Sequence, residues 1–331
     1  MIVELDHVKK EYKVPCKGKS ILHDLFLTKY KKVLAVDDVS LKIDKGETVG
    51  YIGLNGAGKS TTIKMMTGIL NPTEGEVRMF GSPIQRDRIQ KNKRFSVVFG
   101  QRSNLWYDLP VIDSYKYIEI LYDVSKERFQ ANLHHISEIL EISDLLNTPV
   151  RKLSLGQKMK CELGGALLFD PEILFLDEPT LGLDIFAKDN FLKCIKNVNA
   201  ELNTTIFLTS HNMEDIEQVC NRIIVLDKGK ILFDGAINEI KRIVGDNHIL
   251  RFYIENYDNN NDIFMMYHNQ EYKDGVLELR IDKNTLNIAD VVNFYFSNYT
   301  VKDINIENNG LEQLIMELYG DWKNEKVYSV G

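Results

Sequence analysis

Gly53-Leu54-Asn55-Gly56-Ala57-Gly58-Lys59-Ser60 is the stretch on which the reading of this chain turns. It follows the apolar run ETVGYI at 47–52 and precedes a helix-like segment at 61–68. The spacing fits G-x-x-x-x-G-K-[ST], a loop that cradles phosphate between a strand and a helix. Glycines let the backbone curl until successive N–H groups converge on one spot, and the following helix adds its N-terminal partial positive charge there. Lys59 is placed to bridge the β- and γ-phosphates, Ser60 to ligate Mg²⁺, and Thr61 to add donors to the phosphates. A plain Gly-rich turn is the alternative, and the order strand, loop, helix argues against it.

Working outward, short apolar runs at 47–52, 95–99, 173–176, 205–209 and 223–226 alternate with longer helical segments. This is the pattern of a buried, mostly parallel sheet flanked by helices. The run Ile173-Leu174-Phe175-Leu176 ends in Asp177-Glu178. A buried strand delivers such acids to the crevice at the C-terminal edge of the sheet. Asp177 then suits Mg²⁺, through a water, and Glu178 suits polarisation of an attacking water, a role worth about 10²–10⁴-fold in rate. No strand-like run occurs between 107 and 169, so a helical subdomain (about 102–169) is expected between sheet elements. His211 closes the apolar run TIFLTSH at the same edge.

Leu153-Ser154-Leu155-Gly156-Gln157 separates this chain from kinases, GTPases and helicases, which share the first two motifs. It resembles the signature of ATP-binding-cassette (ABC) ATPases, LSGGQ in most members. Gln101 in VVFGQ resembles the Q-loop glutamine, Leu181-Gly182-Leu183-Asp184 the D-loop, and His211 the switch histidine. The resemblance covers about residues 3–235. It implies a RecA-like parallel-sheet core with an antiparallel β subdomain and an inserted α-helical subdomain, binding ATP and Mg²⁺. It further implies that Gln101 touches the metal and the catalytic water, and that His211 senses the γ-phosphate. Ser154, Gly156 and Gln157 open a helix expected at 157–169, whose N-terminus would meet ATP held by a second copy in a head-to-tail dimer. Leu155 stands where most members have glycine; a need for φ > 0 there would count against leucine.

For adenine stacking the aromatic near the first strand is Tyr12 by its distance from the chain start, or Tyr30 by its spacing to residues 35–39. Tyr12 is preferred.

Composition narrows the rest. With 44% apolar and 27% charged residues the chain is neither disordered nor a disulfide scaffold. Its four cysteines, widely spaced, point to reduced thiols. No apolar run reaches membrane-spanning length, so a separate transmembrane subunit and a place on the cytoplasmic face of the membrane are expected. From residue 245 onward there are 15 acidic and 7 basic residues, a net of −8, leaving +1 for the remainder. A nucleotide-binding domain at 1–244 and a small C-terminal α/β domain at 245–331 follow. The acidic tail argues against nucleic acid. Residues 9–32 carry 8 lysines against 2 acids. This basic insertion (about 13–32) is either a solvated surface or one attracted to anionic lipid.

The phrase FGQRSNLWYDLPVIDS, the basic insertion and the segment 302–319 resemble bacterial ABC-2-type exporter ATPases. The resemblance implies a permease of that type as partner, meeting residues 102–110. Trp106, Tyr107 and Leu109 either serve that contact or close the subdomain core. A ribosome-associated or DNA-repair ABC ATPase is the alternative. One cassette, in place of two in tandem, and the lack of a heptad run between 101 and 154 weigh against these.

Overall fold

The structure, a computed structural model, describes residues 1–15, 30–100, 102–244, 247–255, 257, 270–282, 286–308 and 315–316. The chain folds as two compact units, Met1–Gly235 and Ala236–Gly331.

In the first unit β1 (Val3–Pro15) pairs antiparallel with β2 (Tyr30–Ile43). Strand β3 (Thr48–Gly53), buried at every residue, leads through the glycine loop into α1 (Lys59–Met66). Next come β4 (Glu74–Met79), β5 (Ser82–Pro83), the short α2 (Arg88–Asn92) and β6 (Phe95–Phe99). The helical insertion contributes α3 (Val111–Tyr122), α4 (Lys126–Leu140) and α5 (Leu155–Leu167). The chain returns to the sheet with β7 (Ile173–Asp177), α6 (Ile185–Leu202), β8 (Thr205–Thr209), α7 (Met213–Val219), β9 (Arg222–Asp227) and β10 (Lys230–Ala236).

Two sheets result. The order β2-β1-β4-β5 forms an antiparallel layer, and β10-β9-β3-β8-β7-β6 the main sheet, whose pairs from β9 to β6 are parallel. Parallel strands with both faces covered need continuous apolar sequence, which β3, β7, β8 and β9 supply. One core of Val3, Leu5, Val39, Tyr51, Met65, Phe175 and Phe207 joins the two sheets. The architecture is that of a P-loop ATPase, with the antiparallel subdomain and the helical insertion where the sequence places them.

The second unit opens with α8 (Ile237–Val244) and continues through β11 (Asn247–Glu255), β12 (Gln270–Lys273), β13 (Val276–Asp282), α9 (Ile288–Asn298) and β14 (Thr300–Asn308). Its sheet has the antiparallel order β12-β13-β11-β14. Alternate residues Leu250, Phe252 and Ile254 of β11 pack with Leu277, Leu279, Val291 and Tyr295. The division between the units falls nine residues before the 244/245 boundary expected from charge, so α8 goes with the second unit. Most of the basic insertion, and most of the segment after residue 308, lie outside the described residues.

Candidate active site

Three strand ends meet at one edge because β8 lies between β3 and β7. Register pairs Tyr51 with Thr209 and Asp177 with Thr209, so the glycine loop, the acidic pair and the His211 turn leave the sheet side by side.

At the loop, Gly56 and Gly58 have φ of +82° and +113°. A Cβ on Gly58 would stand 2.4 Å from the Ala35 carbonyl oxygen of β2, so only glycine fits. Lys59 turns inward: its side chain is 7% exposed, and Nζ donates to the Gly53 carbonyl at 2.6 Å. Its nearest anion, Glu178, is 4.0 Å away. Burial pushes the Lys59 ammonium below the ordinary lysine value, while Glu178 and Asp177 oppose that shift. A buried cation with so little compensation, beneath an exposed loop of N–H groups, fits a polyphosphate. Ser60 opens α1 on the exposed side, Thr61 is half-buried beside it, and Leu54, Asn55 and Gly56 are exposed while Ala57 is buried.

Asp177 accepts the Thr209 hydroxyl at 2.7 Å, which orients its carboxylate. Glu178 follows with φ +50°, a left-handed conformation costly for a residue with a Cβ and common where function over-determines the backbone. Its N–H is held by the Thr209 carbonyl and hydroxyl, both at 3.1 Å. Glu178 Oε2 lies 3.7 Å from His211 Nδ1, and the imidazole is 56% exposed. Lys59, Asp177, Glu178 and His211 are thus brought together. Gln101 lies outside the described residues, although its neighbour Gly100 donates its N–H to the Asp177 carbonyl at 3.0 Å.

Tyr12 sits half-buried on β1 opposite Val33, close along the hairpin to Ala35, which abuts Gly58. Tyr30 pairs with Pro15, five residues and about 17 Å of strand from Ala35.

Signature helix α5 starts two residues earlier than periodicity suggests, because Ser154 is its N-cap. Ser154 Oγ accepts from Gln157 N at 3.2 Å, and Gln157 Oε1 accepts from Ser154 N at 3.0 Å, a reciprocal capping box. Leu155 is the first helical residue and has no positive φ, so leucine is tolerated; it is 44% exposed. Gly156 is needed for closeness: a Cβ there would lie 2.8 Å from Cβ of Ala187 on α6.

Sequence reasoning missed Thr209, Gly100 and Glu162. Glu162, on α5 and 3% exposed, accepts from the Ser103 hydroxyl and from the N–H groups of Asn104 and Leu105, tying the segment after Gln101 to the signature helix. Burial raises its pKa, against those hydrogen bonds. A lone acid among Met159, Leu163, Ala166 and Leu167 is the signal the sequence offers for it.

A glycine loop, an acidic strand end and a histidine turn on one sheet edge, beside an inserted helix opening at Ser154, define a P-loop ATPase cassette. The ABC transporter family model matches residues 36–181. The ATP-binding protein NatA of Bacillus subtilis is 33% identical over 215 residues, 65% of this chain and 87% of NatA. The chain therefore belongs to the ABC transporter ATP-binding proteins, ATPases that work on Mg·ATP. The linearmycin resistance ATP-binding protein LnrL of Bacillus subtilis is 27% identical over 301 residues, 88% of this chain and 95% of LnrL. Methionine import ATP-binding proteins also match. Among solved structures, the dimeric ATP-binding cassette MJ0796 in a post-hydrolysis state bound to ADP and Pi aligns with TM-score 0.58 and 25% identity, over 71% of this chain and 99% of that one.

Proposed function

We propose that this chain is the ATPase of an ABC-2-type exporter, peripheral on the cytoplasmic face of the membrane and driving a separate transmembrane subunit. The observation that carries the reading is a groove between the core and the helical insertion. A cavity of about 410 Å³ there is lined by Ile69, Phe95, Asn104, Leu105, Tyr117 and Glu162, among others. Tyr107, Trp106 and Leu109 are 63%, 44% and 41% exposed on the segment after Gln101. Aromatic anchors of this kind suit a partner helix, and Glu162 connects their segment to the signature helix. LnrL aligns over 88% of this chain and a methionine import protein over 82%, so the exporter reading leans on the resemblance of the segment FGQRSNLWYDLPVIDS. Among the described residues no helix is long and apolar enough to cross a membrane.

In the cycle we infer, Lys59 and the loop amides hold the β- and γ-phosphates, and Tyr12 stacks on adenine. Ser60 and Asp177, with Gln101, would hold Mg²⁺, which supplies charge neutralisation on the phosphates. Glu178 accepts a proton from the attacking water as its oxygen bonds the γ-phosphorus and the bond to the β–γ bridging oxygen breaks. His211 contacts the γ-phosphate. The N-terminus of α5, with Ser154, Gly156 and Gln157, completes the site on a second copy, so that hydrolysis loosens the dimer.

The test is reconstitution with its proposed transmembrane subunit, in vesicles with Mg·ATP on the face that exposes this chain. Substrate should move away from that face, and Tyr107→Ala should lower substrate-stimulated turnover. Movement towards the ATPase face would overturn the exporter reading.

A further inference from the structure

Behind Glu178 and His211 lies a buried cluster that neither the motifs nor the cycle above uses. Asp215, on α7 four residues after His211, is 1% exposed. Its Oδ2 accepts the Thr180 hydroxyl at 2.5 Å and the Ser210 hydroxyl at 3.3 Å. Its Oδ1 lies 2.9 Å from Nζ of Lys188. Thr180 comes two residues after Glu178, and Ser210 immediately precedes His211. Lys188 is in the first turn of α6, where its N–H donates to the carbonyl of Asp184, the N-cap that ends the D-loop. One carboxylate thus fastens the turns after β7 and β8 to each other and to the helix that follows the D-loop.

We propose that Asp215, acting through Thr180, is a positioning residue for hydrolysis: it holds the Glu178 turn in register with the His211 turn and links both to the D-loop through Lys188. The inference rests on the reading of Glu178 and His211 as hydrolytic groups. Three features support it. Glu178 keeps its left-handed backbone only if the turn after it is held, and Leu181 N and Leu183 N bond back to the Glu178 and Thr180 carbonyls at 3.3 and 3.1 Å. Oδ2 accepts hydroxyls from the turns after β7 and β8, and Oδ1, which takes no hydrogen bond, faces the Lys188 ammonium of α6 in an ion pair, so displacement of any of the three disturbs the carboxylate. The Glu178–His211 approach of 3.7 Å is looser than a hydrogen bond and depends on how the two turns are set. Small misplacement of a reacting group costs up to about 10²-fold in rate without weakening ground-state binding.

The experiment compares steady-state ATP turnover by the purified full chain with Thr180→Val, which removes the hydroxyl at nearly constant shape, and Thr180→Ser, which keeps it. Asp215→Asn is the second variant, Glu178→Gln the reference, and melting temperature is measured for each. Thr180→Val and Asp215→Asn should lower kcat about tenfold or more with KM for Mg·ATP within about twofold, and Thr180→Ser should restore turnover. Wild-type kcat in Thr180→Val and Asp215→Asn, or a loss carried by KM, or one that Thr180→Ser does not repair, overturns the proposal. If Glu178→Gln itself turns over at the wild-type rate, the hydrolytic reading of the site fails. If Glu178→Gln is inactive while Thr180→Val is normal, the positioning role alone falls.

Discussion

Gly100 lies against Glu178 so closely that a Cβ on Gly100 would stand 2.0 Å from the Glu178 carbonyl oxygen. The strand end that leads to Gln101 and the strand end that carries Glu178 therefore touch through bare backbone. Gly100→Ala must push one of them away, at a cost of about 1–3 kcal/mol as in other overpacked sites. We expect a lower melting temperature and a larger fall in kcat than in ATP affinity. Wild-type turnover would show that the two turns move apart freely.

Glu178→Gln keeps the shape of the side chain and removes its basicity. The variant should bind Mg·ATP and accumulate as an ATP-bound dimer, seen by size-exclusion chromatography, with turnover down at least about 10²-fold. Lys59→Ala should remove nucleotide binding, because the loop then loses the buried ammonium beneath it. Unchanged ATP affinity in titration calorimetry would contradict that assignment.

Ser154 has a structural duty apart from any contact with nucleotide. Ser154→Ala breaks the reciprocal bonds with Gln157 and should cost about 1 kcal/mol, a fall of about 2–4 °C in the melting of a domain this size. Ser154→Asp keeps the cap while placing a carboxylate where phosphate is proposed to dock. Restored melting with dimerisation still lost would separate the two roles; normal ATP-driven dimerisation in Ser154→Asp would count against the docking role.

Glu162 gives a pH signature. Its folded-state pKa is raised by burial, so the folded form holds its proton more tightly than the unfolded form does. Its contribution to stability is full below the unfolded value of about 4.3 and is lost as pH rises through the folded value. Glu162→Gln should flatten this part of the melting-temperature profile. A profile parallel to wild type above pH 4 would assign the dependence to other groups.

The contrast between what is legible in the sequence and what is not follows from range. The glycine loop, the DE pair at the end of β7, the LSLGQ helix start and the TSH turn are contiguous strings whose form depends on neighbours a few residues away. Helix α5 differs from its expected start by two residues only because Ser154 caps it, and α8 changes sides because net charge does not report packing. Strands β4, β5 and β10 are not legible, being short or partly exposed, with pairing partners far off in sequence.

From the order of its residues alone this chain declares its nucleotide chemistry, since a phosphate cradle needs particular atoms at fixed short spacing and hardly any tertiary information. The convergence of Gly100, Thr209 and Asp215 on the Glu178 turn was settled only when β6, β7 and β8 came to lie side by side, because those approaches join residues 31 to 78 positions apart.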